Sequence, residues 1–143
     1  MQRFRTALSG WFRRLFPEQP LGRQGEAAAA RYLRRQGYRI LARGDRSWPG
    51  EIDLVALDRQ TIVFVEVKTR ESRDSGHPIE AVGPAKQRRL TRLAVTFLKR
   101  HGLLESPARF DVVAVTWAAD QRRPTIEHFE NAFDAVGQWE FYS

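Results

Sequence analysis

Two short apolar runs carry a strict alternation of side chains. In Glu51–Leu57, the residues Glu51, Asp53, Val55 and Leu57 fall on one side; in Thr61–Lys68, Ile62, Phe64, Glu66 and Lys68 do. Both runs read as β-strands, because successive side chains of a strand point to opposite faces. Asp58-Arg59-Gln60 between them is short enough for a hairpin. A two-residue loop at Arg59-Gln60 pairs Leu57 with Ile62, Val55 with Phe64, Asp53 with Glu66 and Glu51 with Lys68. Directly opposed residues have Cβ atoms roughly 4.5–5.5 Å apart, so this register brings two carboxylates within reach of one cation. A three-residue loop would flip the faces of one strand and undo the alignment.

The rest of the pattern frames this hairpin. Residues 22–36 read as a helix ended by Gly37, with Leu21, Gly25, Ala28, Ala29 and Tyr32 facing inward and Glu26 at the edge. Tyr38 to Arg43 reads as the first strand. Residues 69–82 form a long polar loop beside the hairpin's charges, and His77 within it is a weak phosphate-contact candidate. Pro84 to His101 reads as a second helix, started by Pro84 and stopped by Gly102, with Leu90, Leu93, Ala94, Phe97 and Leu98 as its buried stripe. Lys86 and Gln87 share that face one turn earlier, so they point past the end of the sheet. Phe110 to Trp117 and Thr125 to Phe129 read as strands, and Asn131 to Trp139 as a terminal helix. The order α-β-β-β-α-β-β-α predicts an α/β fold with a mixed central sheet flanked by helices.

Composition narrows the function. The chain has 143 residues, enough for one domain with a real core, and 42% of them are hydrophobic. It has no cysteine, and His77, His101 and His128 show no zinc-ligand spacing, so zinc and thiol enzymes are disfavoured and a cytoplasmic location is expected. No apolar run approaches the roughly 20 residues of a membrane span, so no integral membrane segment is expected. Residues 1–20 form a separate basic arm. Phe4, Leu8, Trp11 and Leu15 recur at helical spacing among Arg3, Arg5, Arg13 and Arg14, before Pro17 and Pro20. Such an arm suits a membrane surface, a partner or the protein's own core, and a disordered tail is the alternative. Residues 21–143 are the folded domain.

The net charge is +7. Gathering Glu26, Glu51, Asp53 and Glu66 into one site leaves the remaining body more basic still. An acidic centre in a basic surround suits a metal-dependent enzyme acting on a polyanion. Carboxylates in otherwise apolar strands need a partner, because an unpaired buried charge is costly. Mg²⁺ is a hard cation held by one or two carboxylates plus phosphate and water. Lys68 beside them would orient the attacking water and offset charge at phosphate.

Asp53 followed by Glu66-x-Lys68 is similar to the PD-(D/E)XK nuclease motif. The ordered set Gly22-Arg23-Gln24-Gly25-Glu26, Gly50-Glu51-Ile52-Asp53-Leu54, Phe64-Val65-Glu66-Val67-Lys68-Thr69-Arg70, Lys86, Arg109-Phe110-Asp111-Val112-Val113 and Asn131-Ala132-Phe133 resembles the YraN-like family. These are small bacterial proteins described as candidate endonucleases, distantly related to archaeal Holliday-junction resolvases. The resemblance spans roughly Leu21 to Phe133. It implies a restriction-endonuclease-like fold, with metal held by Asp53, Glu66 and the Val67 carbonyl. Mn²⁺ would substitute for Mg²⁺. Catalytic roles would fall to Glu26, Asp53, Glu66, Lys68 and Gln87, with Lys86 as an alternative to Gln87. The segment Arg43-Gly44-Asp45-Arg46-Ser47-Trp48-Pro49 departs from the Asn-containing turn often found there.

The expected function is therefore a Mg²⁺-dependent endonuclease on DNA, including branched or flapped DNA. Symmetric cutting of a junction needs two centres, hence a homodimer. RNA cleavage fits the same residues. A nucleic-acid-binding adaptor without cleavage is the reading from another class, and acids facing phosphate argue against it.

Overall fold

In the computed structural model the described residues are 21–48, 50–72, 74 and 76–137. The basic arm expected over residues 1–20 lies outside them. The first helix, α1 (Leu21–Arg35), is followed by β1 (Arg39–Trp48), β2 (Gly50–Asp58) and β3 (Thr61–Arg70). After a short 3₁₀ turn at Pro78–Ala81 come α2 (Pro84–Arg100), β4 (Ala108–Thr116) and β5 (Thr125–Phe133). The five strands form one sheet in chain order, antiparallel throughout except for the parallel pair β3–β4 that α2 connects. This is the mixed α/β arrangement of the restriction-endonuclease-like class.

Each helix covers one face of the sheet. Ala28, Ala29, Ala30 and Leu33 of α1 pack on Leu54, Ala56, Val63, Val65, Val113 and Val115. Leu90, Leu93, Ala94, Phe97 and Leu98 of α2 pack on Val55, Ile62, Phe64, Phe110 and Val112. β3 and β4 are thus buried on both sides, as parallel strands in α/β proteins are. Helix α1 stops because Gly37 takes a φ of +96°, where the N–H of Tyr38 reaches the Leu33 carbonyl at 3.0 Å and that of Gly37 reaches Arg34. This is the left-handed glycine stop that closes many helices. No described helix is long and apolar enough to cross a membrane.

The hairpin register matches expectation where the two strands pair. Leu57 faces Ile62, Val55 faces Phe64, and the turn is the two residues Arg59-Gln60 closed by Asp58 and Thr61. Arg59 adopts a φ of 58°, a conformation that favours glycine or asparagine in such turns. β1 runs five residues beyond the expected Arg43. Irregular pairing with β2 and a positive φ at Gly44 let the polar stretch after Ala42 remain in the ladder.

The terminal helix expected over Asn131–Trp139 is not formed in the described part of that span. Asn131–Phe133 instead completes β5, and residues 134–137 are non-helical. The cause is tertiary pairing. The ladder steps from Val112↔Phe129 to Phe110↔Phe133, so β5 carries a bulge. At that bulge Asn131 has a φ of 50°, and its N–H donates to Asp111 Oδ1 at 2.9 Å. Phe133 then stacks on Phe110 with ring centroids 4.6 Å apart. A left-handed residue held this way cannot open a helix.

At Gly25, α1 leaves no room for a side chain against β3. A Cβ there would lie 1.9 Å from Thr69 Oγ1 and 3.0 Å from Thr69 Cβ. Gly25→Ala is therefore expected to push α1 off the sheet and destabilise the fold by about 1–3 kcal/mol, measurable by urea denaturation. An unchanged midpoint would mean that the helix moves aside freely.

Candidate active site

The Asp53 carboxylate reaches β3 where the β2–β3 ladder ends. Its last pair is Leu54↔Val65. At the next residue, Asp53 does not face Glu66 as an ordinary cross-strand pair. Its Oδ2 accepts the backbone N–H of Val67 at 2.8 Å, that is, the amide joining Glu66 to Val67. Strict alternation also fails here. Ile52 packs in the same cluster as Val55, while Leu54 packs in the opposite one. The β1 ladder keeps its register across Asp53, while on the other side the Asp53 carboxylate is an acceptor for a backbone N–H of β3. The outcome is a carboxylate pinned against the Glu66-Val67 peptide. The side chain of Glu51 is outside the described part.

Glu66 follows Phe64 on β3, and Lys68 follows Glu66 in the same alternation, roughly 7 Å further along the strand. The Glu66 side chain is mostly buried, and its Oε1 forms an ion pair with Lys86 Nζ from the first turn of α2. The start of α2 thus abuts the acidic end of β3, where the apolar stripe of that helix gives way to polar residues. The other polar residue of that turn, Gln87, turns its Nε2 to the Val82 carbonyl at 2.9 Å. Gln87 thereby fixes the loop that leads into α2.

Glu26 lies on α1, next to the Gly25–Thr69 contact, with one carboxylate oxygen buried. This places it near the same end of β3, but on the helix that covers the other face of the sheet. Among the described residues no group of three or more Asp, Glu or His side chains is arranged to hold a metal ion. The donors suited to a cation are two carboxylates, Asp53 and Glu66, plus backbone oxygen. This all-oxygen set fits Mg²⁺ or Mn²⁺, which commonly take one or two carboxylates and fill the remaining positions with water and phosphate.

Two further features could not be read from local sequence. Arg70, at the end of β3, is buried, and its guanidinium bonds Thr116 Oγ1 at 3.0 Å and the Gly76 carbonyl at 2.7 Å and lies 3.5 Å from Glu127. It ties the loop after β3 back to the sheet. In that loop His77 Nδ1 accepts the Ile79 N–H, and the ring lies against Phe129.

The second feature is a polar network on the α1 face. Asp111 is fully buried and accepts from Arg109 Nε at 2.9 Å, His128 Nε2 at 2.7 Å and the Asn131 N–H. A carboxylate only accepts, so Nε2 is the protonated nitrogen of His128. Arg109 also reaches Asp58 at 3.1 Å and the Tyr38 hydroxyl at 2.9 Å, and that hydroxyl donates to Glu130. Burial alone would raise the Asp111 pKa, but the bonds from His128, Arg109 and the Asn131 amide and the charge of Arg109 outweigh it and hold the pKa below the usual carboxylate value. Burial opposes the charge on Arg109, yet its bond and attraction to Asp111 raise its pKa further. Burial raises that of Tyr38, against the pull of Arg109.

Comparison with known proteins gives this arrangement a family. The family described as "Uncharacterised protein family UPF0102" matches residues 25–115, the stretch from Gly25 through Asp53, Glu66, Lys68 and Asp111. A UPF0102 protein of Rhodopirellula baltica is 52% identical over 125 residues, covering 85% of this chain and 75% of that protein. Another, of Anaeromyxobacter dehalogenans, is 49% identical over 120 residues and covers 84% and 88%. A third, of Syntrophotalea carbinolica, is 49% identical over 117 residues and covers 82% and 94%. On this match the chain belongs to UPF0102, the YraN family that its motifs resemble.

Proposed function

We propose that the chain is a cytoplasmic, metal-dependent endonuclease that hydrolyses phosphodiester bonds in DNA. The observation that carries this reading is the pinning of the Asp53 carboxylate at the Glu66-Val67 peptide, with Lys68 next along the strand. Asp53, Glu66 and the Val67 carbonyl would hold Mg²⁺ or Mn²⁺. The ion supplies charge stabilisation at the phosphate and activation of water. The Val67 N–H fixes the direction of Asp53, so the carboxylate needs no reorganisation to accept a cation. Lys86 balances Glu66 when no other cation does. Lys68 orients the attacking water and counters the charge that builds on the phosphate oxygens. Water adds to phosphorus, the bond to one ester oxygen breaks, and the leaving oxygen takes up a proton. Glu26 would hold water at this end of β3, and Gln87 steadies the loop before Lys86.

A branched substrate cut on both strands needs two centres related by a twofold axis, so a homodimer belongs to that version of the reading. The test is to incubate purified protein with Mg²⁺ or Mn²⁺ and linear, flapped or four-way DNA, and with RNA. Metal-dependent cutting of DNA is expected. Cutting of RNA alone would reassign the substrate, and binding without cutting would favour an adaptor. A monomer in light scattering, even with four-way DNA bound, would exclude symmetric junction cleavage.

Lys86→Met gives a separate check. The ammonium would no longer compete for Glu66, so Mn²⁺ should bind several-fold more tightly in a calorimetric titration. Lys86 is only about one-third exposed and leaves behind a mostly buried carboxylate, so the stability cost should be about 1–3 kcal/mol. Weaker Mn²⁺ binding would show that Lys86 helps assemble the site rather than occupying it.

A further inference from the structure

Helix α2 presents an unusual outer face. Its sequence, PAKQRRLTRLAVTFLKR, has no acidic residue. Its buried arc is Leu90, Thr91, Leu93, Ala94, Val95, Phe97 and Leu98. The arc left over carries Arg88, Arg89, Arg92, Lys99 and Arg100, all exposed, with only Ala85 and Thr96 between them. Among the described residues Arg88, Arg89 and Arg92 make no ion pair. This departs from an ordinary solvated helix, where charges of both signs are interleaved at i and i+4.

The stripe also has a direction. Lys86, Arg89 and Arg92 follow one another at i+3, so each is a neighbour of the next on the helix surface. The first of them, Lys86, touches Glu66. The three span about 9 Å of helix axis, between the axial rise of three and of four successive phosphates on one strand of a duplex, about 7 and 10 Å. A row of cations therefore leads from outer solvent to the carboxylate of the candidate site.

We infer that the outer arc of α2 is a track for the phosphate backbone of duplex nucleic acid, which it delivers to Glu66 and Lys68. This rests on the nuclease reading above and adds the form of the substrate. Single-strand binders combine a basic groove with aromatic side chains on which bases stack. The α2 arc has no aromatic residue, and the exposed large hydrophobics among the described residues are Leu41 and Leu104. A basic surface without stacking platforms grips backbone, and a duplex offers backbone at twice the charge density of a single strand.

The test measures binding of full-length protein to a blunt mixed-sequence DNA duplex and to one of its single strands, in EDTA, at several salt concentrations. Wild type is compared with R88Q/R89Q/R92Q and with R31Q/R34Q/R35Q, which removes three exposed arginines from α1 instead. Glutamine keeps helix propensity close to that of arginine, and circular dichroism confirms the fold. The α2 variant should have a log–log salt slope on duplex shallower by about 2.7, so its loss of affinity between 50 and 200 mM salt shrinks by about 40-fold. The α1 variant should keep the wild-type slope. Equal flattening in both variants, or flattening in the α1 variant alone, overturns the track but leaves the nuclease reading standing. Tighter wild-type binding to the single strand overturns the duplex assignment. A wild-type protein whose binding ignores salt removes the nucleic-acid partner, and both proposals fail.

Discussion

Asp111→Ala is expected to lower stability by about 3–5 kcal/mol, a fall in Tm of roughly 10–15 °C for a domain of this size. The loss does not come from one bond. Asp111 is fully buried and is the shared acceptor of Arg109, His128 and the Asn131 N–H. Removing it takes one of two carboxylate partners from a largely covered guanidinium, which keeps Asp58, and frees the bulge that completes β5. Asp111→Asn keeps one acceptor oxygen and should fall between wild type and alanine. The pH dependence follows from the depressed pKa of Asp111. A carboxylate whose folded pKa lies below its unfolded value of about 3.9 contributes stability above that value. The contribution is lost as pH falls through the folded pKa. Wild type should therefore lose stability below about pH 4, and Asp111→Asn should lose less over the same interval. Thermal melts at pH 7 and across the acid range check both statements. A change of only a degree or two for Asp111→Ala would mean that the network is ornamental to the fold.

The second large effect is on chemistry. Asp53→Asn and Glu66→Gln should each reduce metal-dependent cleavage by about a thousandfold or more, the equivalent of some 4 kcal/mol of transition-state stabilisation. Both substitutions preserve shape. In Asp53→Asn the side-chain amide still offers an oxygen to the Val67 N–H, so β3 should stay in place and Tm should move little. Glu66→Gln removes the charge facing Lys86, but the amide oxygen can still accept from that lysine, which is about one-third exposed, so the loss should cost about 1 kcal/mol. Activity and stability are thus separable at these two positions, whereas at Asp111 they fall together. Single-turnover rates beside melting curves provide the check. Full activity in Asp53→Asn would move the chemistry elsewhere in the chain.

The hairpin was legible because its information is local. Alternation from Val55 to Leu57 and from Ile62 to Phe64 fixes which faces are buried, and a two-residue turn then fixes the register. That register fails at Asp53 for a reason alternation cannot contain. A side-chain oxygen takes the Val67 amide at the end of the ladder. The misread terminal segment has a similar origin. Ala132, Phe133 and Val136 have helical spacing, yet Asp111 captures Asn131 from a strand twenty residues earlier. The meeting of Lys86 with Glu66 was half visible, since polar residues on an apolar helix face must pass the end of the sheet. Arg109 and Asp111 stood out only through the resemblance, because their partners Tyr38, Asp58, His128 and Glu130 are distant in sequence. Arg70 likewise entered only through the resemblance, as a strand-end arginine usually faces water.

Asp53 and Glu66 are proposed to form a cation site. Its most direct measurement is isothermal titration of Mn²⁺ into full-length wild-type protein and into the double variant D53N/E66Q, with melting curves to show that both are folded. Wild type should bind about one Mn²⁺ per chain, and the folded double variant none at the same concentrations. Equal binding by the two proteins would contradict such a site.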